Sequence, residues 1–256
     1  MYKWEQFKGI QAITSSRNGG FSIGDYASLN LALHVGDDKD TVIKNRNHFF
    51  HQKNIALFEN NTVFVAQNHS NITLKVTKKD AGRGYFAFED GIKADALYTK
   101  EKGLALAIYH ANCVPLFVYV PRHEIVGVIH AGEIGSVNNI TGLFVEKLMK
   151  DEGVKPSEIY VNIGPSLSFS HRIISKKRAE ELAALGGPIQ KAVKATLPQY
   201  FLDLPLLNIL QLRAVGVPFQ NITFSNICTF ENSDRFYYFE KGKNTGRNIS
   251  FIKNNN

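Results

Sequence analysis

The stretch PLFVYVPRHEIVGVIHAGEIGS, residues 115–136, decides how this chain folds. Its two apolar runs, PLFVYV (115–120) and EIVGVIH (124–130), are short and rich in β-branched and aromatic residues, which marks them as strands. Pro121 and Arg122 sit in a turn between them, so YVPRHEIVG reads as a hairpin and the two strands run antiparallel. The second run ends on His130 and passes through a glycine-bearing turn, with Gly132 and Gly135, into a helix beginning near Ser136 or Asn138. That helix sets Ile140, Phe144 and Leu148 on one face and stops at Gly153.

Working outward, further strands are expected at GIQAITSS (9–16), TVFVAQ (62–67), ITLKVT (72–77), ADALYTK (94–100), LALAIYH (104–110), EIYVNIG (158–164), NITFSNIC (221–228) and RFYYFEK (235–241). Asp40 is placed to cap a helix running to about Lys53, Ser175 to cap KKRAEELAAL, and Asp203, followed by Pro205, to start a last helix ending at Gly216. Strands outnumber helices and come in hairpins as well as crossovers. The expectation is therefore an α+β fold, a single domain spanning 1–256 with mixed β-sheets flanked by helices, rather than a doubly wound parallel sheet.

Composition narrows the function classes. With 44% hydrophobic and 21% charged residues over 256 positions, the chain can bury a large core. It has no apolar run of the roughly 20 residues a bilayer span needs, and its N-terminus lacks the pattern of a signal peptide, so no membrane association and a cytoplasmic location are expected. The net charge of +7 suits an anionic partner. The basic residues are scattered, however, and neither Lys78 and Lys79 nor the run Lys176, Lys177 and Arg178 is interleaved with aromatics, which argues against nucleic acid. Two cysteines, Cys113 and Cys228, are too few for a disulfide framework; Cys228, with no histidine near it in sequence, reads as a buried apolar residue.

Three apolar strands run into a histidine or cysteine in a small turn: VFVAQNHS (His69), LALAIYHANC (His110, Cys113) and EIVGVIHAG (His130). Taken singly, each is an ordinary hydrogen-bonded polar residue at a sheet rim. If the strand ends share one sheet they converge, and two imidazoles with a thiolate form a zinc ligand set with a fourth position open for chemistry. The same residues alternatively make a Cys–His nucleophile pair. Spacings of 44 and 17 residues match no short zinc motif. The turn after His130 would aim backbone N–H groups at an anion such as phosphate, or simply allow a tight passage into the helix, and NIGPS (162–166) is positioned to line the same rim. His110 stands close enough to Cys113 in sequence to add a ligand or an acid. His48 and His51 read as a solvated pair on the first helix.

In order along nearly the whole chain, these segments resemble the laccase-domain family, whose members are also described as multicopper polyphenol oxidoreductases, purine nucleoside phosphorylases or peptidoglycan-editing factors. SSRNGGFSIGDYASLNLALHVGDD resembles the family's T-T-R-x-G-G-V-S…LN…HVGDD opening, and VIKNRNHF its V-x-x-NR-x-x-L helix. QNHS, KADALYT, HANCVP and HAGEIGS resemble Q-x-H-G, x-ADA-x-x-T, T-ADC-x-P and HAGWRGT; NIGPSLS, NICT and NTGRNISFI complete the series. The resemblance implies laccase-domain (cytotoxic-necrotizing-factor-like) architecture and a metal held by His69, Cys113 and His130, with zinc favoured over copper. It also implies a small-molecule substrate: purine nucleosides cleaved with phosphate, and adenosine deaminated. Arg17, supported by Arg46, is implied for phosphate, with Asn112, Gly132 and Glu133 also facing the substrate, and Asp95 and Gln67 are expected to support the ligating histidines, Asp95 as part of the catalytic set.

Departures from the family pattern fall at the chemistry. Glu133 and Ile134 stand where the family has Trp and Arg, Asn112 replaces an Asp, His110 a Thr, and FYYFEK replaces F-x-SYRR, with Glu240 at an arginine position. They keep two other readings open: a Cys–His amidohydrolase acting on a cell-wall precursor, and a non-catalytic member of the family. Copper-dependent phenol oxidation has the least support, because multicopper electron transfer wants several His-rich clusters and the sequence offers a single candidate.

Overall fold

The computed structural model describes residues 1–240 and 243–256. In chain order its strands are β1 (Tyr2–Trp4), β2 (Ile10–Thr14), β3 (Thr62–Phe64), β4 (Thr73–Lys75), β5 (Ala96–Thr99), β6 (Ala105–His110), β7 (Val114–Val120), β8 (Ile125–Ala131), β9 (Tyr160–Ile163), β10 (Ile173–Ile174), β11 (Val193–Thr196), β12 (Gln199–Leu202), β13 (Ile222–Phe224) and β14 (Asn248–Asn254). The helices are α1 (Lys39–Phe50), α2 (Glu133–Val137), α3 (Ile140–Glu152), α4 (Lys176–Ala184), α5 (Gly187–Ala192) and α6 (Leu204–Ala214). A five-stranded sheet has the order β1-β2-β14-β6-β3, a six-stranded sheet the order β13-β9-β7-β8-β5-β4, and β10-β12-β11 form a small third sheet. Parallel and antiparallel pairs occur in both large sheets, the mixed α+β arrangement expected from the hairpin at residues 115–136.

The strands read as continuous apolar runs because the large sheets are covered on both faces. Along β7, Val114, Leu116, Val118 and Val120 pack with Phe144 and Leu148 of α3 and Leu207 and Leu212 of α6, while Phe117 and Tyr119 face the other way. Those two join Leu106 and Ile108 of β6, Val63 of β3 and Val126 and Val128 of β8, in a core between the two sheets. The outer face of the five-stranded sheet, with Ala105, Ala107, Tyr109 and Phe251, closes against Phe49 and Phe50 of α1. The order is helix, sheet, sheet, helix. Each fully buried Leu, Ile, Val or Phe contributes on the order of 1.5–3 kcal/mol, so these layers hold the frame on which the site is mounted. β14 pairs with both β2 and β6, which ties the two ends of the chain into one sheet.

Local signals were read correctly at several boundaries. The β7–β8 turn is a short 3-10 segment, Pro121–His123, followed by Glu124 in the left-handed region at φ 54°. Ser175 accepts from the Arg178 N–H and Asp203 from the Leu206 N–H, as helix caps do. At α1 the cap is Asp38 rather than Asp40, its carboxylate accepting from the Thr41 N–H. The helix expected from Ser136 or Asn138 begins earlier, at Glu133, and breaks at Asn139, whose φ of 60° cannot continue a helix, before resuming as α3.

Over its described residues, one expected strand does not form. Arg235–Glu240 is not a strand, and position 241 of that prediction lies outside the described residues. Its aromatics are nonetheless used: Phe236 and Tyr237 are fully buried, and the Tyr237 backbone bonds the Asn248 side chain at both its N–H and its C=O, 2.9 Å each, in place of a strand partner. The closing strand is β14 instead. The segment after α4 holds α5, β11 and β12, which no periodicity announced because these elements are short and carry few buried residues.

Candidate metal centre

The β7–β8 register builds the first half of the site. Val114 lies opposite Ala131 and Pro115 opposite His130, so the residue entering β7, Cys113, comes beside Gly132, the residue leaving β8. An antiparallel pair thus brings together groups separated by the length of the hairpin. His69 arrives from a loop after β3, where it holds a left-handed φ of 64°. Its Nε2 lies 3.9 Å from the Cys113 Sγ, and its ring stands 5.0 Å from that of His130 at 73°. One ligand atom from each of His69, Cys113 and His130 falls within 4.8 Å of the others.

The convergence is real but its origin differs from the expectation. The three residues do not close a single sheet at its C-terminal edge. β3, which leads to His69, belongs to the five-stranded sheet, while Cys113 and His130 belong to the N-terminal entry and C-terminal exit of neighbouring strands in the six-stranded sheet. What joins them is Asp95, fully buried just before β5. Its carboxylate accepts from the His130 Nδ1 at 2.8 Å, from the backbone N–H groups of His69 at 3.1 Å and Ser70 at 2.7 Å, and from the Ser70 hydroxyl at 2.7 Å. One acid therefore sets the His130 ring and anchors the His69 loop. With Nδ1 engaged, His130 presents Nε2 to Cys113, the arrangement in which a second carboxylate partner orients a metal-binding imidazole.

Gly132 is required by space. A Cβ there would lie 2.7 Å from the His69 Cδ2 and 3.2 Å from the Cys113 Sγ, and one at Gly135 would lie 2.8 Å from the Ser70 carbonyl. Both glycines admit close approach at φ values any residue accepts. The helix they enter, α2, has only five residues, and the Gly132 carbonyl is its first acceptor, from Ser136 N–H at 2.9 Å.

Burial works against ionising the Cys113 thiol, but the neighbouring His130 and His69 imidazoles and the Arg172 guanidinium outweigh it and hold the thiol well below its ordinary range. Burial likewise opposes charge on His130, and the Cys113 thiolate and Asp95 carboxylate overcome it, raising the imidazole. Asp95 is pushed up by burial and brought below the usual carboxylate range chiefly by His130 and Ser70. Each of these three groups thus favours the charged form of its neighbour.

The remaining residues singled out in the sequence have other partners. Gln67 exchanges two hydrogen bonds with the Tyr109 backbone, at 2.7 and 2.9 Å, prolonging the β3–β6 pairing rather than touching a histidine. Arg17 donates to the carbonyls of Ala27 and Ser233 and stacks 4.8 Å from the Tyr237 ring. Arg46 is buried and donates to the Leu31 and Tyr85 carbonyls and the Tyr109 hydroxyl, tying α1 to the sheet. Asn112 clamps the Phe239 backbone at 2.7 and 2.9 Å. Glu133 pairs with Arg178 of α4 at 3.1 Å, and Ile134 is 57% exposed. His110 turns away from the cluster: its Nε2 meets the Ser250 hydroxyl at 2.8 Å, and burial, helped by the charges of His130 and Arg247, drives it down to about 3.

Two residues bearing on the site were passed over. Arg172, from the loop after β9, and Arg247, just before β14, both share a favourable charge interaction with the Cys113 thiolate, and burial lowers both guanidiniums. The Arg172 Nη2 donates to the Asn112 carbonyl at 3.3 Å, while its buried Nε has no partner among the described residues. Arg247 lay within the NTGRNISFI motif; Arg172 had no signal, because only the loop's path brings it to Cys113.

A family model described as multi-copper polyphenol oxidoreductase laccase matches residues 11–255. A relative named purine nucleoside phosphorylase YlmD from Bacillus subtilis (strain 168) is 39% identical over 249 residues, covering 96% of this chain and 88% of its own length. Another named purine nucleoside phosphorylase, from Bacteroides thetaiotaomicron, is 28% identical, covering 96% and 92%. The crystal structure of YlmD from Geobacillus stearothermophilus superposes with a TM-score of 0.90 at 35% identity, covering 98% of this chain and 93% of that one. The Bacillus licheniformis hypothetical protein YfiH superposes at 0.91 with 30% identity, covering 98% and 95%.

Proposed function

The chain belongs to the multi-copper polyphenol oxidoreductase laccase family, and from that premise we propose that it is a zinc-dependent purine nucleoside phosphorylase that also deaminates adenosine. The observation that carries this reading is the meeting of His69, Cys113 and His130 within 4.8 Å behind Asp95, in a chain whose full-length relatives carry the phosphorylase name. Two imidazoles and a thiolate suit zinc with a fourth position left open. When bound there, zinc supplies Lewis acidity and lowers the pKa of a water ligand. An electron-transfer copper would be held by the same two His and one Cys together with a methionine. The two methionines, Met1 and Met149, are both exposed and stand outside the segments that build the cluster, which favours zinc.

The chain's own residues account for the rest. Asp95 keeps a proton of His130 on Nδ1 and so leaves Nε2 as the nitrogen that would ligate the metal beside Cys113. Gly132 leaves room between His69 and Cys113. Arg172 and Arg247 bring positive charge to the side of the cluster, where an anionic co-substrate such as phosphate needs it, and so offset the arginine replaced by Ile134. Glu133, in the place of a family tryptophan, has its charge answered by Arg178 and does not oppose an anion. Arg17 and Arg46 serve this reading by holding the surrounding segments in place.

Purified protein is incubated with inosine and phosphate, and separately with adenosine, and the products are resolved by chromatography. Free hypoxanthine that appears only when phosphate is present, and inosine formed from adenosine without it, are the expected results. Protein that carries its metal and yields neither product refutes the reading. The Cys113–His130 pairing favours one alternative, a thiol amidohydrolase acting on a cell-wall precursor, which would keep its activity in metal-chelated protein and lose it in Cys113→Ser.

A further inference from the structure

A second mixed-donor cluster lies outside the centre described above. His171, Cys228 and Glu231 each bring one ligand atom within 4.8 Å of the others. They come from two loops distant in sequence, His171 from the one after β9 and Cys228 and Glu231 from the one after β13. Those loops are clamped along their backbones: Ser166 pairs with Cys228 in a parallel bridge, Ser166 N–H donates to the Ile227 carbonyl at 3.1 Å, and Thr229 N–H donates to the Ser166 carbonyl at 3.0 Å. The clamp sets the Cys228 Sγ within 4.8 Å of a His171 ring nitrogen.

Each donor is already oriented. The Cys228 Sγ is buried and accepts from the Ser168 hydroxyl at 3.2 Å and the Ser168 N–H at 3.5 Å, which fix its position. The His171 ring lies 4.2 Å from that of Phe230, and its Nε2 is 2.9 Å from a Glu231 carboxylate oxygen. Cys228 and Glu231 also line a cavity of about 360 Å³ that includes Ser168, Phe169 and Phe224. Around a tetrahedral ion with ligand bonds of 2.0–2.3 Å, donors stand roughly 3.3–3.8 Å apart, so side-chain adjustment of at most about 1 Å brings this set, now within 4.8 Å, to bonding geometry.

We infer that His171, Cys228 and Glu231 form a second site for a zinc-class divalent cation, with a fourth, open position turned to the adjoining cavity. One imidazole, one thiolate and one carboxylate are borderline donors that select such an ion over calcium or magnesium, which take oxygen ligands. The two sites are neighbours, because Arg172, next to His171, donates to the carbonyl of Asn112, next to Cys113. A metal at the second site braces the two loops and, through Arg172, the wall of the first.

Cobalt(II) titration of the full chain tests this, read by the thiolate-to-cobalt charge-transfer band and by metal stoichiometry. Wild-type protein is expected to bind two ions per chain. Cys113→Ser, which removes the thiolate of the first site, should keep one ion and one thiolate band. Adding His171→Ala to it should remove both, and Glu231→Gln should weaken cobalt binding at least tenfold, with circular dichroism confirming that each variant is folded. A folded Cys113→Ser protein with no thiolate band overturns the proposal, as does a band that survives His171→Ala and Glu231→Gln unchanged. Should Cys113→Ser not fold, Cys228→Ser in the otherwise native chain decides it: one ion lost supports the second site, and unchanged stoichiometry refutes it.

Discussion

Replacing Gly132 by Ala isolates the geometry of the centre from the stability of the fold. At φ −75° and ψ 176° the backbone accepts alanine without strain, so the cost falls on what the new methyl meets. It would lie 2.7 Å from the His69 Cδ2 and 3.2 Å from the Cys113 Sγ, whereas carbon atoms in contact sit about 3.5–4.0 Å apart. The strand register holds Cys113, while His69 is exposed and on a loop, so the histidine gives way by roughly 1 Å. Because its ring moves toward solvent, unfolding free energy should change by less than about 1 kcal/mol. A metal ligand, however, tolerates only about 0.2 Å, and a 1 Å misplacement at a reacting centre costs about 10²-fold. The expected result is kcat/KM for inosine phosphorolysis down about 100-fold, equivalent to about 2.7 kcal/mol, with less metal retained per chain and an unchanged thermal midpoint. A variant with wild-type turnover and full metal content would refute the argument that His69 and Cys113 act together across this glycine.

Two further substitutions probe the supporting residues. Asp95→Asn keeps the shape but removes the charge that holds His130 and the His69 loop, so metal affinity should fall about 10- to 100-fold by competitive chelation, and stability by about 2–4 kcal/mol in denaturant titration. Glu152, at the end of α3, accepts from Lys75 at 2.8 Å, Lys100 at 2.6 Å and the Tyr98 hydroxyl at 3.2 Å; against the cost of burial these partners hold its carboxyl down to about 2 from an ordinary 4.5. A depressed folded pKa gives stability that is complete above about 4.5 and lost as pH falls toward 2, so stability of the wild type should drop across that window by about 1–2 kcal/mol more than Glu152→Gln, the solvent around the half-exposed lysines screening the rest. Parallel pH-stability curves for the two proteins would contradict this.

How much of this was legible depended on whether the information was local. The β7–β8 hairpin could be read because both strands are buried on both faces and so appear as unbroken apolar runs around a proline turn. Ser175 and Asp203 were legible as caps because a cap is set by a hydrogen bond three residues long. RFYYFEK misled, since aromatic content marks burial and not strand pairing, and here side-chain amides of Asn112 and Asn248 take the backbone bonds a strand would have taken. The short elements α5, β11 and β12 carry too few buried positions to show a period.

The sequence by itself determined the mixed α+β class, the hairpin at its centre, the glycine turn after His130 and the identity of the residues His69, Cys113 and His130. Those are properties of apolar period, turn chemistry and residue type, which neighbours along the chain express. Only the tertiary structure decided that the trio spans two sheets, that Asp95 is the group locking them, that the Arg172 and Arg247 charges bear on Cys113 while Arg17 and Arg46 bond backbone carbonyls, and that Cys228 comes close to His171. Each of these is a meeting of segments tens of residues apart. Such meetings depend on strand register and on the path of loops over the packed layers, which no window of sequence contains.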